Sequence, residues 1–346
     1  MSEKARRPQP PDDVGRECSL ADKVTWMRRR LGAGDEAIET HFAWVFLRGD
    51  RALKLRKPVR RDSMDYSTVE ARRLDSESEV RLNRRLAPDV YLGTRPLTRE
   101  AAGGLAIDGT GEVVDWLVEM RRLDRDLMLD TRLARGAATD EDLRRVAATL
   151  AAFYAREAPA LTDGAALDAR VRAQVAANHS VLATLDPAAA ARLRDGQLAF
   201  LDARRPWFNA RARGGCVIEA HGDLRPEHIV LEDPPAVIDC LEFDRNLRVL
   251  DRAEELAFLE LECGRLGHPA AGRLVAQECL ARLCDAVPPA LARFHRSHRA
   301  ATRAKLYVWR ATEPDGGSPQ LWHATARGYL DAALEATRDA REASAA

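Results

Sequence analysis

No uninterrupted apolar stretch of about 20 residues occurs in this 346-residue chain, so the sequence offers no membrane-spanning helix. The segment MSEKARRPQPPDDVGREC likewise lacks the apolar run of a signal peptide. Net charge of one sign is also missing. With 54 basic against 54 acidic residues there is no bulk field for nucleic acid, no specific nucleic-acid partner is expected, and only local patches carry weight. The six cysteines, at 18, 216, 240, 263, 279 and 284, contain no Cys-x-x-Cys pair and no compact disulfide framework. A zinc ribbon and a disulfide-stapled scaffold are thereby excluded, and a soluble protein of the reducing cytoplasm is expected. There is no G-x-x-x-x-G-K-[ST] phosphate loop, no G-x-G-x-x-G before Lys54, and no tandem repeat. The length suits one large domain or two packed lobes.

Within these limits the chain changes character along its length. Residues 1–18 are polar, rich in proline and charge, and read as a loose leader. ADKVTWMRRRLG follows as a first helix, and HFAWVFLRGDRALKLRKPV supplies two β-prone runs around Gly49-Asp50, the pattern of a hairpin. A helix, continuous or broken, is expected over STVEARRLDSESEVRLNRRLAP, which stops near Pro88. VYLGTRPLT and GEVVDWLVEMRRL bracket the polar AAGGLAIDGTG, so two more strands joined by a turn are expected. Beyond residue 120 Ala, Leu and Arg recur at helical spacing. One β-like pair, GGCVIEAHGDLRPEHIVLEDPPAVIDCLEF, precedes helices expected over 251–265, 270–285, 289–311 and about 320–339. The expected organisation is α+β, with a small mixed lobe over 19–120 and a larger helical lobe over 121–346 that carries an active-site hairpin.

HGDLRPEHIVL followed by VIDCLEF resembles the catalytic and metal-binding segments of the aminoglycoside phosphotransferase-like kinase superfamily. ALKL, SEVRLNRRLAP and WLVEM resemble its nucleotide lysine, supporting glutamate and hinge, in the same order. The similarity runs over roughly residues 38–310, and ETHFAWVFL, APDVYL and DRAEELAFL resemble an uncharacterised bacterial branch. Members of that branch are sometimes fused to a P-loop ATP-binding domain, whose phosphate loop this chain lacks. The resemblance implies a bilobal protein-kinase-like fold with a nucleotide site of its own.

Alone, Asp223 reads as a turn cap; with the other motifs, the resemblance implies the catalytic base that orients an acceptor hydroxyl for in-line attack. His221 and Gly222 are expected to shape its loop. Asp239 in VIDC is implied as a Mg²⁺ ligand, a hard oxygen donor beside the phosphates. His228 stands where the superfamily motif has Asn, five residues after the catalytic Asp; it reads as a direct metal or phosphate ligand or as a supporting histidine, and changed metal geometry and reduced activity both stay open. Lys54 is implied as the phosphate-gripping lysine, with Lys57 as a competing register, and Glu79 as its partner, with Glu77 one shifted helical position away. Glu119 and Met120 in WLVEM are implied to bind the adenine where the two lobes connect. Phosphate cover is expected from backbone near Thr40–Phe42 or the Gly49 turn. Asp251 and Glu255 are secondary candidates, with helix capping or structural burial as the competing role. The basic segment Arg51–Arg61 and the helix bearing His298, Arg299, Arg303 and Lys305 could meet an anion or solvent.

These residues imply a Mg²⁺-dependent phosphotransferase moving the terminal phosphoryl of ATP or GTP to a hydroxyl of a small metabolite, sugar or aminoglycoside-like acceptor. A protein kinase or nucleotidyl transferase is the second enzymatic expectation. A catalytically weak, nucleotide-binding regulator is the third. Nothing in the sequence sets the oligomeric state.

Overall fold

The computed structural model describes residues 18–61, 64–313 and 317–345. The expected leader lies outside them except for Cys18. The chain divides into two compact units, residues 1–123 and 124–346, three residues beyond the boundary placed from the sequence. The architecture is bilobal, a mixed β-sheet unit followed by a larger, mostly helical one, as in protein kinases.

The first unit opens with α1 (Leu20–Arg28), whose N-cap Ser19 and N3 residue Asp22 form a capping box that satisfies two orphan donors. Strands β1 (Glu36–Glu39), β2 (Ala43–Arg48) and β3 (Arg51–Arg56) form a meander. The expected hairpin is therefore present at Gly49, but it carries an extra edge strand. EAIE escapes recognition because four residues with glutamates at both ends look like a loop; the same charges discourage pairing at a sheet edge. A two-residue pair, β4 (Arg60–Arg61) with β5 (Met64–Asp65), precedes α2 (Val69–Asn83), which is one unbroken helix. Strands β6 (Tyr91–Arg99), β7 (Leu105–Ile107) and β8 (Glu112–Arg121) complete a sheet of order β1-β2-β3-β8-β6-β7. β7 lies inside the segment expected to be only a turn.

Phe46, Leu55 and Leu117 pack beneath Val24 and Met27 to form the core of this unit. A buried charge cluster completes the anchoring: Arg72 on α2 donates from Nε and Nη2 to both Asp115 oxygens (2.7 and 3.0 Å), and Lys23 on α1 donates to Oδ2 at 2.8 Å. Two cations on one buried carboxylate tie both helices to the central strand.

The second unit is built from α3 (Leu129–Ala134), α4 (Asp140–Arg156), α5 (Gly164–Leu182) and α6 (Pro187–Arg213), then α7 (Arg245–Arg248), α8 (Arg252–Arg265), α9 (Pro269–Arg282), α10 (Pro289–Ala311) and α11 (Pro319–Ala345). Four short strands interrupt them, β9 (Val217–Glu219), β10 (Ile229–Val230), β11 (Ala236–Val237) and β12 (Val249–Asp251). They form two separate ribbons, since β10 pairs with β11 while β9 pairs with β12. The expected single β-like pair is thus corrected: CVIEA reaches across the motif to VLD, a pairing that local pattern cannot reveal. Phe200, Phe208 and Phe294 form an aromatic core, with Phe200 and Phe294 stacked at 4.8 Å. Burying each such ring contributes about 1.5–3 kcal/mol. No helix of the described residues is long and apolar enough to cross a membrane.

Candidate active site

In the first unit, alternation along β3 places Lys54 and Arg56 on one face of the strand, and the four-residue spacing of Asp75 and Glu79 places both acids on one face of α2. The two faces meet. Lys54 Nζ donates to Glu79 Oε1 at 2.8 Å, and Arg56 donates to Glu79 Oε2 while its Nε lies 2.7 Å from Asp75 Oδ2. Glu79 is 1 % exposed, so its charge is matched oxygen by oxygen with two cations. The competing registers go elsewhere: Lys57 pairs with Glu39, and Glu77 with Arg73 on the outer face of α2. Sequence reasoning missed Arg56, although its position two residues after Lys54 was the available signal.

The basic segment around Lys54 is largely paired. Arg51 lies near Asp50 and Glu119, and Arg60 near Asp65. Of the expected phosphate cover, the Thr40 amide donates to the Ala43 carbonyl, and the Gly49 amide to Asp35 at 2.9 Å.

Glu119 and Met120 require a correction. WLVEM lies inside β8, where Glu119 pairs with Leu53 and Gly93, and Met120 with Ala52 and Tyr91. The segment is a central strand with ladders on both sides, and the first unit ends later, at Leu123. An apolar run with alternating polarity continues pairing until its ladder partners run out. The Glu119 carboxylate faces Arg95 at 2.9 Å.

In the second unit, the loop after β9 carries His221, Gly222 and Asp223, a 3-10 turn spans Pro226–His228, and the β10–β11 ribbon delivers Asp239. His221 is fully buried. Its Nε2 donates to the Ile238 carbonyl at 2.8 Å and its Nδ1 accepts the Asp223 amide at 3.3 Å. Burial, with His228 nearby, lowers its pKa to about 4, so the ring is a neutral strut between the loop and the Asp239 strand. Gly222 has φ 90°, and a Cβ there would sit 3.1–3.3 Å from Leu241, the Leu247 carbonyl and Arg248, so this position takes glycine for both conformation and space.

Glu255, on the first turn of α8, accepts the amides of Gly222 (2.6 Å) and His221 (3.2 Å) and the Tyr154 hydroxyl (2.7 Å). Burial holds its carboxyl above the usual range despite these donors. It is a buried carboxylate that positions the loop, while Asp251 caps α8 and accepts from Nε and Nη2 of Arg211 at 2.7 and 2.6 Å. From α10, Arg299 donates to the Gly222 carbonyl at 2.9 Å. The α10 basic residues therefore turn inward: Arg299 and Arg303 lie over the Phe258 ring, and His298 is buried with its pKa lowered to about 3 by that burial.

Asp223 sits in a ring of positive charge. Burial pushes its carboxyl up, but Arg225, with Arg303 and Arg299, outweighs it and holds Asp223 below the usual carboxylate range. Arg225 Nε donates to Asp223 Oδ2 at 3.0 Å and also binds Glu227. His228 Nδ1 donates to the Asp223 main-chain carbonyl at 2.9 Å, which leaves Nε2 as the lone-pair nitrogen, 3.5 Å from Asp239 Oδ2. Asp239, half-exposed, has φ 62°, a left-handed conformation uncommon outside glycine. The structure thus brings Asp223, His228 and Asp239 together. Among the described residues no group of three His, Cys, Asp and Glu converges to enclose a metal ion. Arg225 and Tyr154 were missed; Arg225 stood inside the motif, whereas nothing near Tyr154 signals its hydroxyl's role.

No family model matches the chain. Uncharacterised proteins of Mycobacterium tuberculosis and Mycobacterium bovis are 32 % identical to it over 298 residues, 82 % of this chain but 57 % of theirs. The chain therefore spans a little over half the length of these curated relatives. Among solved structures, a choline/ethanolamine kinase family protein from Mesorhizobium loti superposes with TM-score 0.50 at 13 % identity, covering 90 % of this chain and 95 % of the other. Choline kinase from Cryptosporidium parvum gives 0.51 at 10 % identity, covering 92 % and 95 %. A thermostable mutant of aminoglycoside phosphotransferase APH(4)-Ia, in ternary complex with AMP-PNP and hygromycin B, gives 0.51 at 12 % identity, covering 90 % and 97 %. The chain thus shares its fold with these choline kinase and aminoglycoside phosphotransferase structures.

Proposed function

We propose that the chain is a metal-dependent phosphotransferase that moves the terminal phosphoryl of ATP or GTP to a hydroxyl of a small metabolite, sugar or aminoglycoside-like acceptor in the cytoplasm. One observation carries this reading: an Asp223 carboxylate kept ionised by surrounding cations, on a loop fixed from three sides, with His228 set between it and Asp239. Phosphoryl transfer asks the protein mainly for positioning and charge. Asp223 would hold the acceptor hydroxyl in line and take its proton as the oxygen–phosphorus bond forms. His221, Glu255 and Arg299 would keep that carboxylate from drifting, because a displacement of about 1 Å costs on the order of 100-fold in rate.

Lys54, oriented by Glu79, would grip the nucleotide phosphates. Asp239 and His228 would hold the divalent ion. One carboxylate and one imidazole can ligate a divalent ion, with substrate phosphates and water completing its shell. Such an ion neutralises charge on the transferring phosphoryl.

The test is incubation with Mg²⁺ and labelled ATP or GTP against a panel of hydroxylated metabolites, with products followed by mass spectrometry. A product heavier by one phosphoryl group, lost in Asp223→Asn, is expected. Its formation at the wild-type rate by Asp223→Asn would sink the assignment. A nucleotide monophosphate adduct on protein would redirect the reading to nucleotidyl transfer, and tight nucleotide binding without turnover on any acceptor would redirect it to regulation.

A further inference from the structure

The half-site formed by His228 and Asp239 has a chemical bias of its own. His228 is 8 % exposed and its Nδ1 is committed to the Asp223 carbonyl, so the ring is oriented with Nε2 as its remaining donor atom. A second-side hydrogen bond of this kind fixes the tautomer and raises the basicity of the ligating nitrogen. The Asp239 carboxylate lies 3.5 Å away on a backbone turned to positive φ. Two ligands with bonds of about 2.1 Å, spanning this 3.5 Å separation, subtend about 113° at a shared ion. The near-ideal octahedron of Mg²⁺ calls for about 90°, a separation of about 3.0 Å. Ligand type points the same way, because imidazole suits borderline transition ions, whereas Mg²⁺ favours oxygen throughout.

A second contact bears on the same atom. Arg225 Nη2 lies 3.1 Å from His228 Nε2, so Arg225 and a metal ion compete for one lone pair. Asp223 and Glu227 also bind Arg225, and they can retain the guanidinium when it gives up the histidine.

From these contacts we infer that His228 and Asp239 form a site selective for a first-row transition ion of the Co²⁺ and Zn²⁺ type over Mg²⁺, with Arg225 as its built-in competitor. This deepens the phosphotransferase reading and rests on it for the polyphosphate that completes the shell. The bias itself resides in the protein's own two ligands. Full-length protein would be titrated calorimetrically with Mg²⁺, Mn²⁺ and Co²⁺, alone and with a non-hydrolysable ATP analogue, and the visible absorption of bound Co²⁺ recorded.

Co²⁺ is expected to bind at least about tenfold more tightly than Mg²⁺, and His228→Asn to lose about tenfold for Co²⁺ while Mg²⁺ changes little. Arg225→Gln is expected to tighten Co²⁺ binding, and Asp239→Asn to weaken both ions. Should His228→Asn fail to fold, His228→Gln and Arg225→Gln carry the same comparison. Equal affinity of the wild type for Co²⁺ and Mg²⁺, or an unchanged ratio in the His228 variants, overturns the inference; unchanged Co²⁺ binding in Arg225→Gln overturns the competition. Phosphoryl transfer with equal Co²⁺ and Mg²⁺ affinities would defeat this inference alone. Preferential Co²⁺ binding with no transfer to any acceptor would defeat the phosphotransferase reading alone.

Discussion

Replacing Glu255 with Gln keeps the side chain's size and changes only which of its ends can accept a hydrogen bond. In the wild type Oε1 accepts the Gly222 amide, and Oε2 accepts the His221 amide and the Tyr154 hydroxyl. A glutamine has one acceptor end. If its oxygen serves Gly222, its amide can donate to the Tyr154 oxygen but the His221 N–H is orphaned; if it serves His221 and Tyr154, the Gly222 N–H faces another donor. Either orientation strands one buried amide, at about 1–3 kcal/mol. Burial raises the pKa of Glu255, so its ionised form carries a desolvation penalty that Gln does not, and the net cost falls at the low end, about 1 kcal/mol. Glu255→Ala orphans both amides and the Tyr154 hydroxyl and should cost about 3–9 kcal/mol. Urea denaturation gives the global values, and amide hydrogen exchange at His221 and Gly222 reads the loop directly. Wild-type exchange at both amides in Glu255→Gln, or a larger loss for Gln than for Ala, would refute the bonding scheme.

In the first unit, Glu79→Ala leaves Lys54 and Arg56 without their shared buried carboxylate and should cost about 3–5 kcal/mol, seen as a lowered urea midpoint. Lys54→Met leaves Glu79 paired with Arg56 and, under the proposed function, should instead abolish nucleotide binding with a much smaller stability loss, measured by calorimetry with ATP. The buried His221, with a folded-state pKa of about 4 against 6.5 unfolded, makes stability pH-dependent. Unfolding takes up a proton between those values, so stability is retained above pH 6.5 and lost as pH falls toward 4, by about 3 kcal/mol for this group. His298 acts in the same direction, so the test is a comparison of slopes: urea midpoints at pH 7 and pH 4.5 should differ less in His221→Gln than in the wild type.

Legibility in the sequence followed the range of the interactions. Helices α8, α9 and α10 were visible because apolar periodicity and end signals are local, and α10 was bounded at both ends as Pro289–Ala311. The Lys54 and Glu79 registers were readable because strand alternation and helical spacing decide which side chains can face a partner. Asp223, His228 and Asp239 were named from the motif, and their proximity follows from the short β10–β11 ribbon that folds them together. The pairing of β9 with β12 and the interior position of WLVEM were hidden because each depends on a partner remote in the chain, and the edge strand β1 because its charged ends mask a short strand. Tyr154, 101 residues before Glu255, is the extreme case.

Those remote partners explain why so much buried polarity surrounds a short loop. His221, Gly222 and Asp223 lie in neither a strand nor a helix, so their backbone amides and carbonyls have no ladder to satisfy them. Glu255 from α8, Arg299 from α10 and the Leu241 amide take up those groups one at a time. Each is worth little in net stability, since a hydrogen bond replaces one to water. Their collective effect is positional. Under the proposed function, a carboxylate that meets an acceptor oxygen within about 0.5 Å needs its backbone fixed independently of the substrate, and a loop held by neutral His221 and buried Glu255 would achieve this. On this account the buried residues around Asp223 should govern turnover more than substrate affinity, and the Glu255 variants should lower kcat while leaving KM nearly unchanged.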